Sequence, residues 1–77
     1  MIGKILKYMR IQKKLSQNEL AKLIKVERTT LSGYETERRD INFKLIETIS
    51  EMCDYEIIFK NKITGEIINS KNISRKI

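Results

Sequence analysis

Apolar residues recur every three to four positions in two stretches of the chain, one at its start and one in its middle. Such a stripe is typical of a helix that buries one face against a core. The first stretch contains Ile2, Ile5, Leu6 and Met9, followed by Leu15, and the second contains Phe43, Ile46, Ile49 and Met52. Asn42 precedes the second stretch, and asparagine is a preferred cap of helix N-termini. The pattern therefore predicts one helix near the start and another that begins after Asn42.

A further helix start is predicted between these two stretches. Ser16 and Glu19 have the spacing of a capping box, in which the hydroxyl and the carboxylate accept hydrogen bonds from exposed backbone N–H groups. Leu15 and Leu20 flank this box and can form a hydrophobic staple around it. The sequence thus predicts a helix that begins directly after Ser16.

The segment from Gln17 to Thr36 has the spacing of two short helices that cross through a tight turn. Counted from Gln17, positions 4, 5, 8, 10, 15 and 18 are small or apolar, namely Leu20, Ala21, Ile24, Val26, Leu31 and Tyr34. A small residue at Ala21 lets the second helix pass closely, and the other five fill the wedge between the helices. This is the spacing of a helix-turn-helix, whose second helix enters the major groove of DNA.

The second helix of this pair is predicted to begin near Glu27 or Arg28, after a turn at Lys25 and Val26. Helical periodicity divides its residues into an exposed face, with Arg28, Thr29, Ser32 and Gly33, and a buried face, with Leu31 and Tyr34. The exposed face is the one that a DNA-reading helix would present.

The helical pattern gives way to β-branched and aromatic residues after residue 54. Tyr55–Lys60 and Glu66–Asn69 are separated by Asn61–Gly65, which predicts a β-hairpin with a five-residue loop closed by glycine. An isolated hairpin is marginal in water, so this one needs a covering surface. The side chains expected on the helical body are Tyr55, Ile57 and Phe59, with Ile58 on the other face. A second copy of the chain is the expected cover of the free strand edge, and a hairpin folded on its own domain is the alternative. Residues 72–77 are expected to fray.

Charge is distributed unevenly around the formal net charge of +6. Residues 1–40 contain ten Lys or Arg and five Asp or Glu, residues 41–54 contain one and three, and residues 55–77 contain five and two. Basic surface in the first and last parts favours binding to a polyanion, although lysines that only maintain solubility are the alternative. No apolar run approaches the ~20 residues of a membrane span, and no signal peptide is visible, so the cytoplasm is the expected location.

The chain offers few groups for catalysis or metal binding. It has no histidine and a single cysteine, Cys53, which excludes an internal disulfide and the usual sets of zinc ligands. Cys53 comes directly after the apolar stripe that contains Ile46, Ile49 and Met52. It is interpreted as a core residue, with a redox-sensing thiol as the alternative. Without a histidine base, a glycine-rich phosphate loop or a carboxylate pair of known spacing, we expect neither an enzyme nor a cofactor.

These residues together resemble the lambda-repressor-like helix-turn-helix domains, also called Cro-type or xenobiotic-response-element domains. The resemblance covers about residues 2–54 and rests on Leu6, Met9, Arg10, Leu15-Ser16-Gln17, Leu20-Ala21, Val26, Leu31 and Tyr34-Glu35. It implies a four-helix domain in residues 1–54, and with the hairpin and tail predicted above for residues 55–77, a dimerisation element, the expected fold is mainly α with a C-terminal β-hairpin. It also implies an ion pair of Arg10 with Glu35. The chain departs from the family pattern at Lys25, Glu27, Glu37, Ile41 and Cys53.

A recognition helix that enters the major groove with its N-terminal half leading indicates which residues touch DNA. Arg28 is the candidate for reading a guanine, and Thr29 and Ser32 are candidates for neighbouring bases. The alternatives for Arg28 are a phosphate contact or a salt bridge to Glu27. The candidates for the DNA backbone are Gln17, which matches a phosphate-contacting position of the family, and Arg38, Arg39 and Lys44; the alternative for each is an ordinary solvent-exposed side chain.

The predicted function is sequence-specific binding of double-stranded DNA by a homodimeric transcriptional regulator, most simply a repressor. One alternative is the antitoxin of a toxin–antitoxin pair that regulates its own operon. Another is a protein-interaction module with a helix-turn-helix fold that does not read DNA. The expected partners are double-stranded DNA, a second copy through the hairpin, and a protein such as a toxin or an antirepressor; no membrane is expected.

Overall fold

Four helices followed by a small hairpin make up the chain in the computed structural model, which describes residues 1–77. The helices are α1 (Ile2–Gln12), α2 (Gln17–Leu23), α3 (Arg28–Glu35) and α4 (Phe43–Met52), and they precede the strands β1 (Phe59–Lys60) and β2 (Ile67–Ile68) and a 3₁₀ turn (Ile73–Arg75). The predicted mainly α fold with a C-terminal hairpin is thereby confirmed. None of the helices is long and apolar enough to cross a membrane.

Side-chain caps define the starts of α2 and α4. The N–H of Glu19 donates to Oγ of Ser16 at 3.0 Å, and the N–H of Ser16 donates to Oε1 of Glu19 at 2.8 Å, which confirms the capping box. The backbone and hydroxyl bonds of Ser16 lower the pKa of the Glu19 carboxyl. At α4, the N–H of Leu45 donates to Oδ1 of Asn42 at 2.8 Å. Each cap satisfies a donor that the first helical turn would otherwise leave unpaired.

All four helices end in the same turn, and none of these turns contains glycine. The second residue beyond each helix has a left-handed backbone; these residues are Lys14, Lys25, Glu37 and Asp54, with φ of 63°, 61°, 63° and 66°. The N–H that follows each of them donates to the carbonyl five residues earlier, at 2.8 to 3.1 Å. This is the Schellman motif, in which glycine is preferred because a Cβ costs about 1 kcal/mol in the left-handed region. This backbone strain is present at all four left-handed residues, where the chain turns sharply after a helix.

One small core holds the helices together. The fully buried side chains are one from each helix, namely Leu6, Leu20, Leu31 and Ile49, and Met9, Ala21 and Cys53 complete the cluster. Burial raises the pKa of the Cys53 thiol, which disfavours the reactive thiolate and supports the interpretation of Cys53 as a core residue. Leu45 and Ile41 pack on this core from the edge.

Two residues of the predicted apolar stripes are exposed, and a third, Ile46, is only half-buried and lies outside the core cluster. Ile5 of α1 is exposed because α1 turns Leu6 and Met9 toward α3 and α4, which leaves Ile5 at the side of the helix. Phe43 is exposed because it is the first residue of α4 and lies beyond the helix contacts. The prediction that both belong to buried stripes is wrong.

The hairpin is shorter than predicted. Phe59 pairs with Ile68 and Lys60 pairs with Ile67 in antiparallel register. In that register residues 55–58 would pair with residues 69–72, but the chain turns away at Asn69, whose Oδ1 accepts from the N–H groups of Lys71 and Asn72 at 2.8 and 2.9 Å. The strands therefore stop at two residues each, and Tyr55–Ile58 forms no strand.

The end of the chain is ordered differently from the prediction. Residues expected to fray instead include the 3₁₀ turn Ile73–Arg75, and Nζ of Lys76 binds Oε2 of Glu66 at 2.7 Å. The side-chain amide of Asn72 also donates to the carbonyl of Ile67 at 3.1 Å. These bonds hold the last residues against the second strand.

The hairpin contributes no side chain to the core, which corrects the expected packing. Tyr55 and Phe59 are 41% and 59% exposed, and Ile58 is 44% exposed. The segment instead forms one wall of an open groove of about 540 Å³ against α4. Its apolar lining consists of Phe43, Tyr55, Ile57, Phe59, Ile68 and Ile73, and the carboxylates of Glu47, Glu51, Asp54 and Glu56 also border it.

Candidate nucleic-acid interface

The helices α2 and α3 cross at Ala21, and the turn between them contains Lys25. Ala21 is buried, and Leu20 and Leu31 are fully buried on either side of the crossing. The N–H of Val26 donates to the carbonyl of Ala21 at 3.0 Å, which closes the turn. This packing fixes the angle of α3 and turns one of its faces outward.

The outward face of α3 carries the predicted base-contacting residues. Arg28 and Thr29 are exposed, and Ser32, one turn later, is half-buried. Leu31 faces the core and is fully buried, and Glu35, two turns after Arg28, is buried at the end of the helix. The predicted side chains therefore share one accessible surface at the start of a helix that the core holds from behind.

A buried ion pair ties α1 to the end of α3. Nε of Arg10 donates to Oε2 of Glu35 at 2.7 Å, and Nη2 of Arg10 donates to Oε1 at 3.1 Å. Nη1 of Arg10 also donates to the carbonyl of Leu15 at 2.9 Å. Both side chains are almost fully buried, so the pair needs these bonds to offset the loss of hydration.

Gln17 extends this pair to the surface. Its amide nitrogen donates to Oε1 of Glu35 at 3.1 Å, and its amide oxygen accepts from Nη1 of Arg28 at 3.3 Å. The guanidinium of Arg28 is thus held beside the start of α2, and it forms no salt bridge with Glu27. Sequence reasoning missed this link, because the three residues are separated by 18 and 11 positions along the chain. The only hint was that an amide side chain offers both a donor and an acceptor.

Gly33 lies beneath Arg39 and is buried, contrary to the predicted exposed face. A Cβ on Gly33 would lie 2.9 Å from Cδ and 3.0 Å from Cγ of Arg39. The N–H groups of Arg38 and Arg39 donate to the carbonyl of Gly33 at 2.9 and 3.1 Å. The missing side chain lets the following loop fold back onto α3, which is why this position is covered.

The remaining basic candidates follow α3 in the chain and lie at the surface. Arg38, Arg39 and Lys44 are all exposed. Nε of Arg38 donates to the hydroxyl of Thr36 at 3.2 Å, which directs this side chain along the end of α3. Lys44 lies at the start of α4.

The start of α1 is fixed to the end of α3. A Cβ on Gly3 would overlap the carbonyl oxygen of Glu35 and lie 2.7 Å from that of Tyr34. Oε2 of Glu37 accepts from the N–H of Gly3 at 3.2 Å and from the amino group of Met1. This amino group is the main reason why the pKa of the Glu37 carboxyl is lowered. These contacts fix Glu37, where the loop after α3 begins, to the start of α1.

A family model described as helix-turn-helix matches residues 6–59, from α1 to the first strand residue. The chain belongs to the lambda-repressor-like helix-turn-helix family. No curated protein and no solved structure matches the chain.

Membership in the helix-turn-helix family assigns roles to the elements. Proteins of this family are DNA-binding regulators, and α2 and α3 are the two helices of the helix-turn-helix motif. This lambda-repressor-like chain keeps the family's turns with non-glycine residues, since Lys25 and Glu37 adopt the left-handed conformation. The positions where the sequence departs from the family pattern therefore leave the fold intact.

Proposed function

We propose that this protein is a sequence-specific repressor that binds double-stranded DNA as a homodimer, at an operator with two half-sites. The observation that carries the proposal is the position of Arg28, which is exposed at the first turn of α3 and oriented by Gln17. A guanidinium held in this way loses less freedom when it binds than a free side chain would.

Arg28 is proposed to read a guanine through its O6 and N7 acceptors. Arginine forms two parallel hydrogen bonds with these atoms, which is the commonest specific contact in the major groove. Thr29 is proposed to meet a thymine methyl group or a base edge, and Ser32 the next base. All three lie on the outward face of α3, so one insertion of the helix would bring them to successive base pairs.

Contacts to the DNA backbone are proposed for Gln17, Arg38 and Lys44. Gln17 lies at the start of α2 beside Arg28, Arg38 lies just beyond α3, and Lys44 begins the next helix. Hydrogen-bond donors and cations near the two ends of a recognition helix bind phosphates and fix its register. Binding should therefore weaken steeply as salt concentration rises.

The C-terminal segment is proposed to form the homodimer, with residues 1–54 as the DNA-binding domain and residues 55–77 as the dimerisation element. Many of its apolar side chains are exposed, and Tyr55, Ile58 and Phe59 are the exposed ones assigned to the interface. Ile57, which is half-buried in the groove, is the fourth residue of the proposed interface. Two-residue strands with a free edge gain most from a partner that extends the sheet. Dimerisation would set two recognition helices about 34 Å apart, one DNA turn.

A second candidate function is that of an antitoxin that represses its own operon. The groove between α4 and the hairpin favours it, because apolar side chains bordered by carboxylates suit a protein partner such as a toxin or an antirepressor. A protein-interaction module without DNA binding is the remaining alternative. We propose a cytoplasmic location, where a repressor meets its operator.

Selection of binding sites from random-sequence DNA at two salt concentrations tests the proposal, together with the solution mass of the free protein. A two-fold symmetric site and a dimer mass are expected, and Arg28→Ala should abolish selection of that site. Weak binding without any preferred sequence would overturn the proposal. Ile58→Lys tests the proposed dimer interface. This variant should be a monomer that binds a half-site weakly but keeps its base preference.

A further inference from the structure

The outward face of α3 lacks one side chain. Arg28, Thr29 and Ser32 are followed on this face by Gly33, which offers no group to a base. The position is nevertheless filled, because the aliphatic part of Arg39 lies over it with Cγ and Cδ where a side chain at position 33 would begin.

Two backbone hydrogen bonds hold Arg39 in this place. The N–H of Arg39 and that of Arg38 both donate to the carbonyl of Gly33. The left-handed residue Glu37 directs the chain back onto the helix, and Glu37 is itself bonded to the N–H of Gly3. Arg39 therefore starts from a fixed backbone.

The charged end of Arg39 is unpaired within the chain. Arg39 takes part in none of the five ion pairs, whereas Arg10 is paired with Glu35. The neighbouring Arg38 is bonded to the hydroxyl of Thr36 and follows another direction. The stem of Arg39 lies over Gly33 and the residue is exposed, so its guanidinium is within reach of a ligand bound at the outward face of α3.

We propose that Arg39 replaces the side chain that Gly33 lacks and reads a guanine in the major groove, beside the base pairs met by Thr29 and Ser32. Sequence alone groups Arg39 with residues that hold the DNA backbone; its stem over Gly33 favours a base contact instead. Arginine can satisfy both guanine acceptors at once, which lysine cannot. This inference rests on the proposed function, because it requires that α3 enters the groove.

The test compares four variants with the wild type on the selected half-site and on all its single-base changes. Arg39→Ala and Arg39→Lys should reduce the preference for guanine over the other bases at one position by roughly 10- to 100-fold. The base preferences due to Arg28 should persist. Gly33→Ala should weaken the same preference, because its Cβ displaces a flexible side chain without touching the core. Arg38→Ala is the matched control and should weaken binding to all sites equally.

The outcomes separate this inference from the proposed function. If Arg39→Ala weakens all sites by one common factor, Arg39 binds only phosphate and the inference fails, while the repressor proposal stands. If Gly33→Ala and Arg39→Ala change different base positions, the two residues do not act together and the inference also fails. If the wild type selects no sequence, both proposals fall. Unchanged melting temperatures verify that the variants remain folded.

Discussion

The amide nitrogen of Gln17 donates a hydrogen bond to Oε1 of Glu35, the same carboxylate oxygen that accepts a hydrogen bond from Nη2 of Arg10. One buried carboxylate thus joins α1, the start of α2 and the end of α3. Through its amide oxygen, Gln17 also contacts Arg28. The group that orients the proposed base-reading arginine is therefore part of the network that holds the fold together.

Breaking the buried pair on one side should be strongly destabilising. Arg10→Met leaves the Glu35 carboxylate buried with only Gln17 as a side-chain donor, and the free energy of unfolding should fall by about 3 kcal/mol. The double variant Arg10→Met with Glu35→Leu should be more stable than Arg10→Met, since no charge then remains buried. Urea unfolding of the wild type and both variants measures this. Equal stability of Arg10→Met and the wild type would contradict the proposed importance of the pair.

Removing Gln17 should have a smaller effect than removing Arg10. Gln17→Ala deletes one donor to Glu35 but leaves both Arg10 bonds, so we expect a loss of about 1 kcal/mol. Asn18→Ala is the control, because Asn18 is an exposed polar residue of the same helix. Thermal unfolding of both variants compares them. Similar melting temperatures would mean that the Gln17 bond contributes nothing.

Gly3 should not tolerate a side chain. Its Cβ would overlap backbone carbonyl oxygens at the end of α3, and backbone cannot move aside as a flexible side chain can. We expect Gly3→Ala to lower the free energy of unfolding by about 1–3 kcal/mol. Lys4→Ala, at the next exposed position, should change it by less than about 0.5 kcal/mol. Denaturant unfolding checks both values, and a stable Gly3→Ala variant would show that α1 can shift.

The capping box should make stability depend on pH in the acid range. The Ser16 bonds lower the pKa of Glu19 in the folded state, so its contribution is present above the pKa of the unfolded chain and is lost as pH falls through the lower folded value. Glu19→Gln keeps a capping side chain that does not titrate. This variant should lose less stability than the wild type between about pH 5 and pH 3. Parallel pH curves for the two proteins would exclude a contribution from Glu19.

The elements that sequence predicted well are those fixed by local chemistry. Ser16, Glu19 and Asn42 form their caps with backbone N–H groups three residues away, which is information contained in a short window. Ala21 and Leu31 occupy their places in the crossing because the spacing of a helix-turn-helix depends on helix geometry alone.

The elements that sequence predicted poorly depend on contacts between distant or competing groups. The pattern of Tyr55–Lys60 favours a long strand. The side chain of Asn69, however, bonds to the backbone of its own turn, so residues 69–72 do not pair with residues 55–58. The cover over Gly33 depends on how the loop with Glu37 turns back, which no periodicity describes. The network of Gln17 likewise requires three elements to be packed first.

Replacing a left-handed lysine with glycine should stabilise the protein. Lys14 and Lys25 both have a positive φ, and neither side chain forms an ion pair in the chain. Glycine removes the strain of about 1 kcal/mol or more that a Cβ causes there, and its greater freedom in the unfolded chain offsets only part of this gain. We expect Lys14→Gly and Lys25→Gly each to raise the free energy of unfolding by roughly 0.5–1 kcal/mol. Lys22→Gly, inside α2, is the control and should lower it by about 1 kcal/mol. Chemical unfolding of the three variants decides the matter, because a destabilising effect at Lys14 or Lys25 would mean that their left-handed turns are not strained.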